Sequence, residues 1–312
     1  MFAGRFKASQ SHYEKVLALR DSVTHRSLIH QIGICPRVTA QGQSGLDALC
    51  LGFPNQALAL SRKAIAEARR LDHAPTLASC LAVDALLFAL IENYGALQES
   101  RDELVAVTRD QGFAFWGSLG TIYSGCIRIA NGDVTKGIPL LRSGLIAFRA
   151  NGMDVWTPCY ITFLAKAYAL AEQVEEALAM LDDAVQIIER TRADWFKAEL
   201  LRHKGQLLLR HGHAEAAEEL YREALTIARE QESKFWELRT AGSIAPALPS
   251  PRPPFRSPRH ARAGLRLVHR GLRHARSERG EGAAGGAGVS LPGHRRLRKR
   301  STGYADKPTR TD

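Results

Sequence analysis

The sequence predicts an all-α solenoid of stacked helical hairpins, and the first observation behind this prediction is a ladder of small residues. The first set of the ladder is Gly or Ala at every fortieth position, and two further sets follow it at offsets of twelve and nineteen residues. Five copies in register form a repeat, and a period of this length is typical of solenoids and other repeat arrays. The three sets are Gly45, Ala85, Gly125, Ala165 and Gly205; Ala57, Leu97, Gly137, Ala177 and Ala217; and Ala64, Leu104, Gly144, Ala184 and Ala224.

Helical periodicity and turn residues are the second and third observations. In the fourth repeat, residues 158–197, the helical pattern TPCYITFLAKAYALAE is followed by a second one, VEEALAMLDDAVQIIERT. Small residues allow the two helices of a hairpin to approach closely, and stacking of hairpins buries the remaining apolar surface. Glycines recur between paired helices, and others lie just past the second helix, where they suit a left-handed C-cap. These are Gly52, Gly132 and Gly212, and then Gly112 and Gly152.

The ladder divides the chain into three parts. Residues 1–37 are predicted to form a degenerate helical unit and a linker, with Pro- and Gly-containing linker character extending over residues 31–43. Residues 38–247 are predicted to form the solenoid. Residues 248–312 are predicted to form a disordered basic tail, because helical periodicity stops there and large apolar residues are few.

The positive charge of the chain belongs to this tail. Residues 251–312 hold 16 Lys and Arg against 4 Asp and Glu, whereas residues 1–250 hold 27 against 28. A basic disordered tail would bind acidic partners or nucleic acid. The composition therefore makes nucleic acid a candidate partner of the tail only.

An out-of-frame origin is the other interpretation of the tail, and the one we favour. Allowed codons for residues 251–286, read one nucleotide later, can spell a helical segment that places alanine in the slot of Ser257, forty beyond Ala217. The chain would then lack its closing repeat, and a non-functional fragment of a frameshifted gene is a further interpretation of it. An uncapped last repeat exposes apolar surface, which predicts fraying of residues 214–247 and self-association.

Composition argues against several classes of protein. The sequence has no run of 18 or more apolar residues, and its first residues lack the apolar core of a signal peptide, so a cytoplasmic protein without a membrane partner is expected. The five cysteines are far apart and include no C-x-x-C pair. They are predicted to be buried free thiols.

The sequence contains no recognisable catalytic, cofactor-binding or metal-binding constellation. It has no G-x-x-x-x-G-K-[ST] phosphate loop. His211 and His213 lie at a predicted turn without a third ligand nearby, and we interpret them as solvated. The chain is therefore predicted to be non-enzymatic and to need no cofactor. Four tryptophans near repeat junctions are predicted to pack between hairpins: Trp116, Trp156, Trp195 and Trp236.

Small residues at these spacings on paired helices resemble the tetratricopeptide repeat, whose usual length is about 34 residues. Tyr168 and Phe88 lie three positions after the first small residue, where that motif favours an aromatic side chain, whereas Arg128 and Ala48 depart from it. The resemblance implies a right-handed α-solenoid of tetratricopeptide-like hairpins, with about five repeats of 40 residues.

Four segments carry a more particular resemblance: LGFPNQALALSRKAIAEARRLDHAPTLA, RDQGFAFWGSLGTIYSG, AELLRHKGQLLLR and AEELYREALTIARE. They are similar to the repeat region of bacterial signalling proteins, in which an adenylate/guanylate cyclase domain and an AAA-type ATPase precede such repeats. The resemblance covers about residues 1–245 and includes neither catalytic domain. It implies a non-catalytic protein-interaction or regulatory module.

The inner face of the solenoid is the candidate binding surface. In tetratricopeptide-like arrays the first helix of each hairpin lines a concave groove, where exposed polar groups contact a peptide or protein. Ordinary solvation of an exposed helix face is the alternative interpretation. By the register of the ladder, the inward positions include Thr162, Lys166, Glu199, Arg202, Gln206 and Arg210.

Overall fold

A computed structural model of the chain describes residues 1–18, 29 and 31–244, and this part contains α-helices and no β-strand. The predicted basic tail, residues 248–312, lies outside the described residues. Its out-of-frame origin stays a prediction. The helices, numbered in chain order, are α1 (Phe6–Ala18), α2 (Pro36–Cys50), α3 (Pro54–Leu71), α4 (Ala74–Leu90), α5 (Tyr94–Gln111), α6 (Ala114–Ala130), α7 (Val134–Arg149), α8 (Thr157–Leu170), α9 (Val174–Thr191), α10 (Lys197–Arg210), α11 (Ala214–Glu230) and α12 (Lys234–Ile244).

The helices from α2 to α11 pair in sequence to form five hairpins, and α12 follows the last of them. The all-α solenoid predicted from the ladder is confirmed. One boundary is wrong: α2 begins at Pro36, inside the stretch interpreted as linker. Proline is well suited to the first turn of a helix, because its missing N–H would have no helical partner there and its fixed φ matches the helix.

The positive-φ residues that terminate the helices are spaced 20 residues apart. Each helix from α2 to α11 is followed by a residue with positive φ, and glycine occupies half of these positions. After α6, Gly132 N–H donates to Ile129 O (3.0 Å) and Asp133 N–H to Arg128 O (2.9 Å), which closes a Schellman-type cap. The 40-residue repeat is thus two helix-plus-turn units of equal length. The positive-φ residues are Gly52, Asp72, Glu92, Gly112, Gly132, Gly152, Glu172, Arg192, Gly212 and Glu232.

The ladder residues lie where paired helices approach most closely. A Cβ atom added at Gly125 would lie 2.9 Å from the backbone N of Leu141 and 3.0 Å from the carbonyl O of Gly137. Gly45 and Gly205 stand in the same relation to Ala57 and Ala217, with distances of 2.9 and 3.2 Å to their carbonyl oxygens. The ladder glycines therefore set the spacing between the α-helical backbones in the first, third and fifth hairpins.

Contacts between successive hairpins also follow the 40-residue period. Trp195 Nε1–H donates to Val155 O (3.0 Å), and Trp236 Nε1–H donates to Trp195 O (3.2 Å). The rings of Trp156 and Trp195 pack edge-on with centroids 5.2 Å apart. The predicted packing of these three tryptophans between hairpins is confirmed.

The first helices of the hairpins form a closed inner ring. Each of α2, α4, α6, α8, α10 and α12 contacts the next, and α12 contacts α2. The hydroxyl of Ser233, just before α12, donates to Cys50 O at the end of α2 (2.8 Å). Near the start of the chain, Phe2 O accepts from Trp195 N–H (2.9 Å), and Lys7 forms an ion pair with Glu232. The two ends of the solenoid therefore meet.

The helix α12 covers the end of the α10–α11 hairpin, which was predicted to be uncapped. Trp236 and Thr240 of α12 are fully buried.

All five cysteines are buried free thiols. Within the described part of the chain, no helix is long and apolar enough to cross a lipid bilayer.

Enlarging the ladder residue Gly125 to alanine tests the close approach. We expect G125A to lower the free energy of unfolding by about 1–3 kcal/mol, because the added methyl group overlaps Leu141 and the backbone of Gly137. Urea denaturation measures the change. The matched control is G242A in α12, where a Cβ atom meets nothing within 4 Å and alanine adds helix propensity. Equal effects of the two substitutions would contradict the role of the ladder.

Replacing Glu172 tests the strain at non-glycine helix ends. Glu172 has a φ of 61°, which a Cβ atom disfavours. We expect E172G to raise the free energy of unfolding by about 0.5–1 kcal/mol. Glycine relieves the backbone strain, and the greater conformational entropy that it gives the unfolded chain offsets part of this gain. E175G, in the first turn of α9, should instead destabilise the protein, because it removes a negative charge from the helix N-terminus and introduces a poor helix former. A loss of stability in E172G would show that Glu172 is not strained.

Candidate functional site

Five of the six inward residues predicted from the ladder line one cavity of about 320 Å³. We call it the charged cavity; it lies between α8, α10 and α12 and is closed on one side by the turn after α4. Its predicted members are Thr162 and Lys166 of α8 and Arg202, Gln206 and Arg210 of α10, to which the structure adds Glu92, His203 and Arg239.

The inward residues differ in exposure from what was expected. Thr162, Glu199 and Arg202 are buried, whereas Lys166 and Gln206 are half-buried and Arg210 is exposed. The Thr162 hydroxyl donates to Pro158 O (2.8 Å) within its own helix. The burial of Glu199 and Arg202 follows from the closed inner ring, since α12 stacks on α10 and removes part of its inner face from water. The surface that remains available is formed by Lys166, Gln206 and Arg210.

Glu199 is the centre of the buried side of the cavity. Its carboxylate accepts two hydrogen bonds from Arg202, from Nε at 2.7 Å and from Nη2 at 2.6 Å. Arg239 Nε forms an ion pair with Glu199 Oε1 at 3.0 Å, and His203 Nε2 lies 3.1 Å from the same oxygen. Arg202 Nη1–H also donates to the hydroxyl of Ser243 (3.1 Å). These contacts hold Arg202 in place, so its positive charge is matched within the protein.

Glu92 reaches the cavity from the opposite side of the inner ring. Its Oε1 lies 3.2 Å from Lys166 Nζ and 3.3 Å from Arg239 Nη2. Arg239 Nη1–H also donates to Leu90 O (3.2 Å), at the end of α4. Three repeats that are distant in sequence therefore meet at one carboxylate.

Sequence reasoning missed Glu92, His203 and Arg239. Arg239 stands forty positions after Glu199, so extending the register by one repeat would have found it. His203 adjoins Arg202 in sequence. No comparable signal points to Glu92, because it lies in a turn and its contact with Arg239 depends on how far the solenoid curves over 147 residues.

The ion pairs determine the charge states in the cavity. Burial alone would raise the pKa of Glu199, but Arg202 and Arg239 hold that pKa well below its usual range. The pKa of Glu92 is also lowered, because Lys166 and Arg239 outweigh its burial. Burial and the neighbouring Arg202 lower the pKa of His203 to about 3, so this imidazole is neutral at pH 7. With four cationic side chains facing two carboxylates, the cavity has an excess of positive charge.

The other part of the inner face is apolar. A second cavity of about 510 Å³ is lined by inner faces of α2, α4, α6 and α8 and by side chains from α1. Positions that are polar in the charged cavity are apolar here: Ala82 corresponds to Thr162 and Arg202, and Leu86 corresponds to Lys166. The inner face is thus divided into an apolar part in the early repeats and a cationic part in the late ones.

Asp47 is a buried carboxylate under α1. It is fully buried, and neither of its oxygens has a hydrogen-bond partner among the described residues. Burial raises the pKa of Asp47 to about 6, and the nearby Ser9 hydroxyl counteracts this only in part. Such a carboxylate disfavours folding when it is ionised.

The described residues contain no group of three or more His, Cys, Asp and Glu side chains that could hold a metal ion. His211 and His213 lie at the turn between α10 and α11, as predicted. What the charged cavity can do chemically is to attract an anionic group by charge and hydrogen bonding.

The stability of the protein should depend on pH through His203. The folded-state pKa of about 3 lies below the ordinary value of about 6.5, so between these values the unfolded chain binds a proton that the folded chain does not. The contribution of His203 to stability should therefore fall as pH decreases from about 6.5 toward 3, by up to about 1.4 kcal/mol per pH unit.

The variant H203Q carries no titrating group at this position and should lack this part of the slope. Urea unfolding of both proteins over this pH range measures the difference. Identical slopes for the two proteins would contradict a neutral, buried His203. The variant D47N tests the same relation with the opposite sign of pKa shift. Removing a carboxyl group whose pKa is raised should increase the stability of the protein above pH 6.

Comparisons with known proteins agree on the fold. A family model of the tetratricopeptide repeat matches residues 157–230, which span α8 to α11. A comparison with curated proteins gave no match.

Two solved structures illustrate the likeness. One is PlcR of Bacillus thuringiensis in complex with the peptide PapR7 and DNA, with a TM-score of 0.53 and 15% identity, covering 69% of this chain and 75% of PlcR. The other is TTC0263, a thermophilic TPR protein of Thermus thermophilus, with a TM-score of 0.46 and 18% identity, covering 67% of this chain and 99% of that one. The described part of the chain is a tetratricopeptide-like α-solenoid.

Proposed function

We propose that this chain is a non-catalytic protein-interaction module that binds a protein or peptide segment on its inner face. The observation that carries the proposal is the charged cavity, which brings Lys166, Gln206 and Arg210 together at an accessible surface with an excess of positive charge. The apolar cavity on the inner face of the earlier repeats would accept hydrophobic side chains of the same partner. The PlcR structure, which has the same kind of fold, contains a bound peptide.

A regulatory role in signalling is the finer part of the proposal. The sequence resembles the repeats that follow cyclase and ATPase domains in bacterial signalling proteins, where binding of a partner to the repeats would be reported to the catalytic domains. The partner-binding residues we propose are Thr162, Lys166, Glu199, Arg202, Gln206 and Arg210. Of these, Glu199 and Arg202 act by holding the cavity together, because they are buried and paired with each other.

Two other interactions rest on separate observations. The 16 Lys and Arg of residues 251–312 favour binding of nucleic acid or another acidic partner by the tail. A salt-sensitive affinity that disappears when these residues are deleted would support binding by the tail.

In α12, Leu238 is 60% exposed, while its counterpart forty positions earlier, Ala198, is fully buried. That surface is where self-association of the last repeat would occur.

Charge reversal at the accessible cations tests the main proposal. Peptides are first selected on the full chain from a displayed random library, and their dissociation constants are then measured. We expect the double variant K166E/R210E to bind the selected peptides at least about tenfold more weakly, which corresponds to about 1.4 kcal/mol. Arg202 is avoided, because glutamate at that buried position would leave two carboxylates unpaired.

The matched control is K63E, a charge reversal at an exposed residue of the outer helix α3. It should leave the affinity of the selected peptides unchanged. If K166E/R210E and K63E bind the peptides as the wild type does, the charged cavity is not the binding site.

A further inference from the structure

Glu92 places a carboxylate inside a cavity that otherwise presents cations. It belongs to none of the helices that form the cavity, and it enters from the turn after α4 to contact Lys166 and Arg239. Its side chain is 47% exposed and that of Lys166 is 34% exposed, so water reaches the pair. The Glu92 carboxylate therefore occupies the position that the carboxylate of a ligand would take beside Lys166 and Arg239.

The backbone at Glu92 is unusual for a glutamate. Its φ of 58° lies in the left-handed region, and glycine occupies the equivalent positions after α2, α6 and α10. Glutamate is strained there, whereas glycine is not. From this strained position the Glu92 side chain forms its ion pairs with Lys166 and Arg239.

Glu172 occupies the same place in the fourth repeat and provides a comparison. It has nearly the same backbone, with a φ of 61°, and it is exposed. It does not line the charged cavity. Glu92 and Glu172 thus have the same backbone conformation, but only Glu92 lines the charged cavity.

Another carboxylate could replace Glu92 at its partly exposed cations, whereas the contacts of Glu199 are buried. Glu199 is buried and holds Arg202 through two short hydrogen bonds. Ion pairs at partly exposed positions contribute little net stability, so replacing the Glu92 carboxylate by another carboxylate changes the free energy little. Lys166 and one face of Arg239 are thus the cations that an incoming anion can take over.

We propose that the charged cavity binds a carboxylate group of an acidic peptide and that Glu92 is its internal competitor. This inference rests on the proposed function and specifies the ligand. An acidic side chain of the peptide takes the place of Glu92 at Lys166 and Arg239. Glu92 lowers the affinity for acidic partners and restricts binding to those whose other contacts, such as those with the apolar cavity of the earlier repeats, outweigh the exchange.

The test compares two labelled peptides, acetyl-Leu-Glu-Glu-Leu-amide and its Leu-Gln-Gln-Leu counterpart, on the full chain by fluorescence anisotropy. The variant E92Q removes the competing charge and keeps the size of the side chain. We expect E92Q to bind the Glu peptide about tenfold more tightly than the wild type does, and the Gln peptide no more tightly. E172Q is the matched control, and it should bind both peptides as the wild type does.

A further variant separates competition from loss of structure. K166Q should weaken binding of the Glu peptide in the E92Q background, because it removes a cation that receives the ligand. Thermal unfolding of each variant shows that it is folded, and loss of a partly exposed ion pair should change the transition little.

Each outcome distinguishes this inference from the proposed function. If E92Q binds the Glu peptide no more tightly than the wild type, or if E172Q does the same as E92Q, Glu92 is not a competitor and the inference is overturned. If E92Q binds neither peptide, the carboxylate site is also overturned. In both cases the proposed function still stands if library-selected peptides depend on Lys166 and Arg210.

Discussion

The close approach of paired helices at the small-residue ladder is the constraint on which the rest of the structure depends. At Gly125 and Gly137 the two backbones come so near that a methyl group would overlap the neighbouring carbonyl oxygen. Gly45 and Gly205 approach their partner helices in the same way in the first and fifth hairpins. The positive-φ residues after the helices are spaced 20 residues apart along the whole array. The closed inner ring, and the two cavities within it, follow from that repetition.

Much of the fold could be predicted from the sequence because local rules determine it. Small residues at positions such as Gly45 and Ala57 predict helix pairing, and register alone places Lys166 and Gln206 on the inner face. Curvature is different, because it is the sum of small rotations between hairpins that no single residue determines. For that reason the contacts of Glu92 with Lys166 and Arg239, across 74 and 147 residues, were not predicted.

The first helices of the hairpins carry two buried carboxylates with opposite behaviour. Glu199 is surrounded by cations, and it stays ionised well below its usual pKa. Asp47 interacts with the N-terminal ammonium group and the Ser9 hydroxyl, but burial outweighs both and raises its pKa to about 6. Below pH 6, protonation of Asp47 favours the folded state while the neutral His203 disfavours it, so the two effects partly cancel. The sequence distinguishes these environments in part, because Arg202 follows Glu199 by three residues on the same helix, whereas no basic residue lies within four positions of Asp47.

The contact between α12 and α2 changes how the array should unfold. In an open solenoid each repeat has one neighbour on either side, and stability is approximately a sum of repeat and interface contributions. Here the hydrogen bond from Ser233 to Cys50 joins the last described helix to the first hairpin over 183 residues. Opening either end therefore breaks an additional interface, which makes the repeats a single cooperative unit. Such long-range closure also slows folding, since it requires a long loop to form before the contact is made.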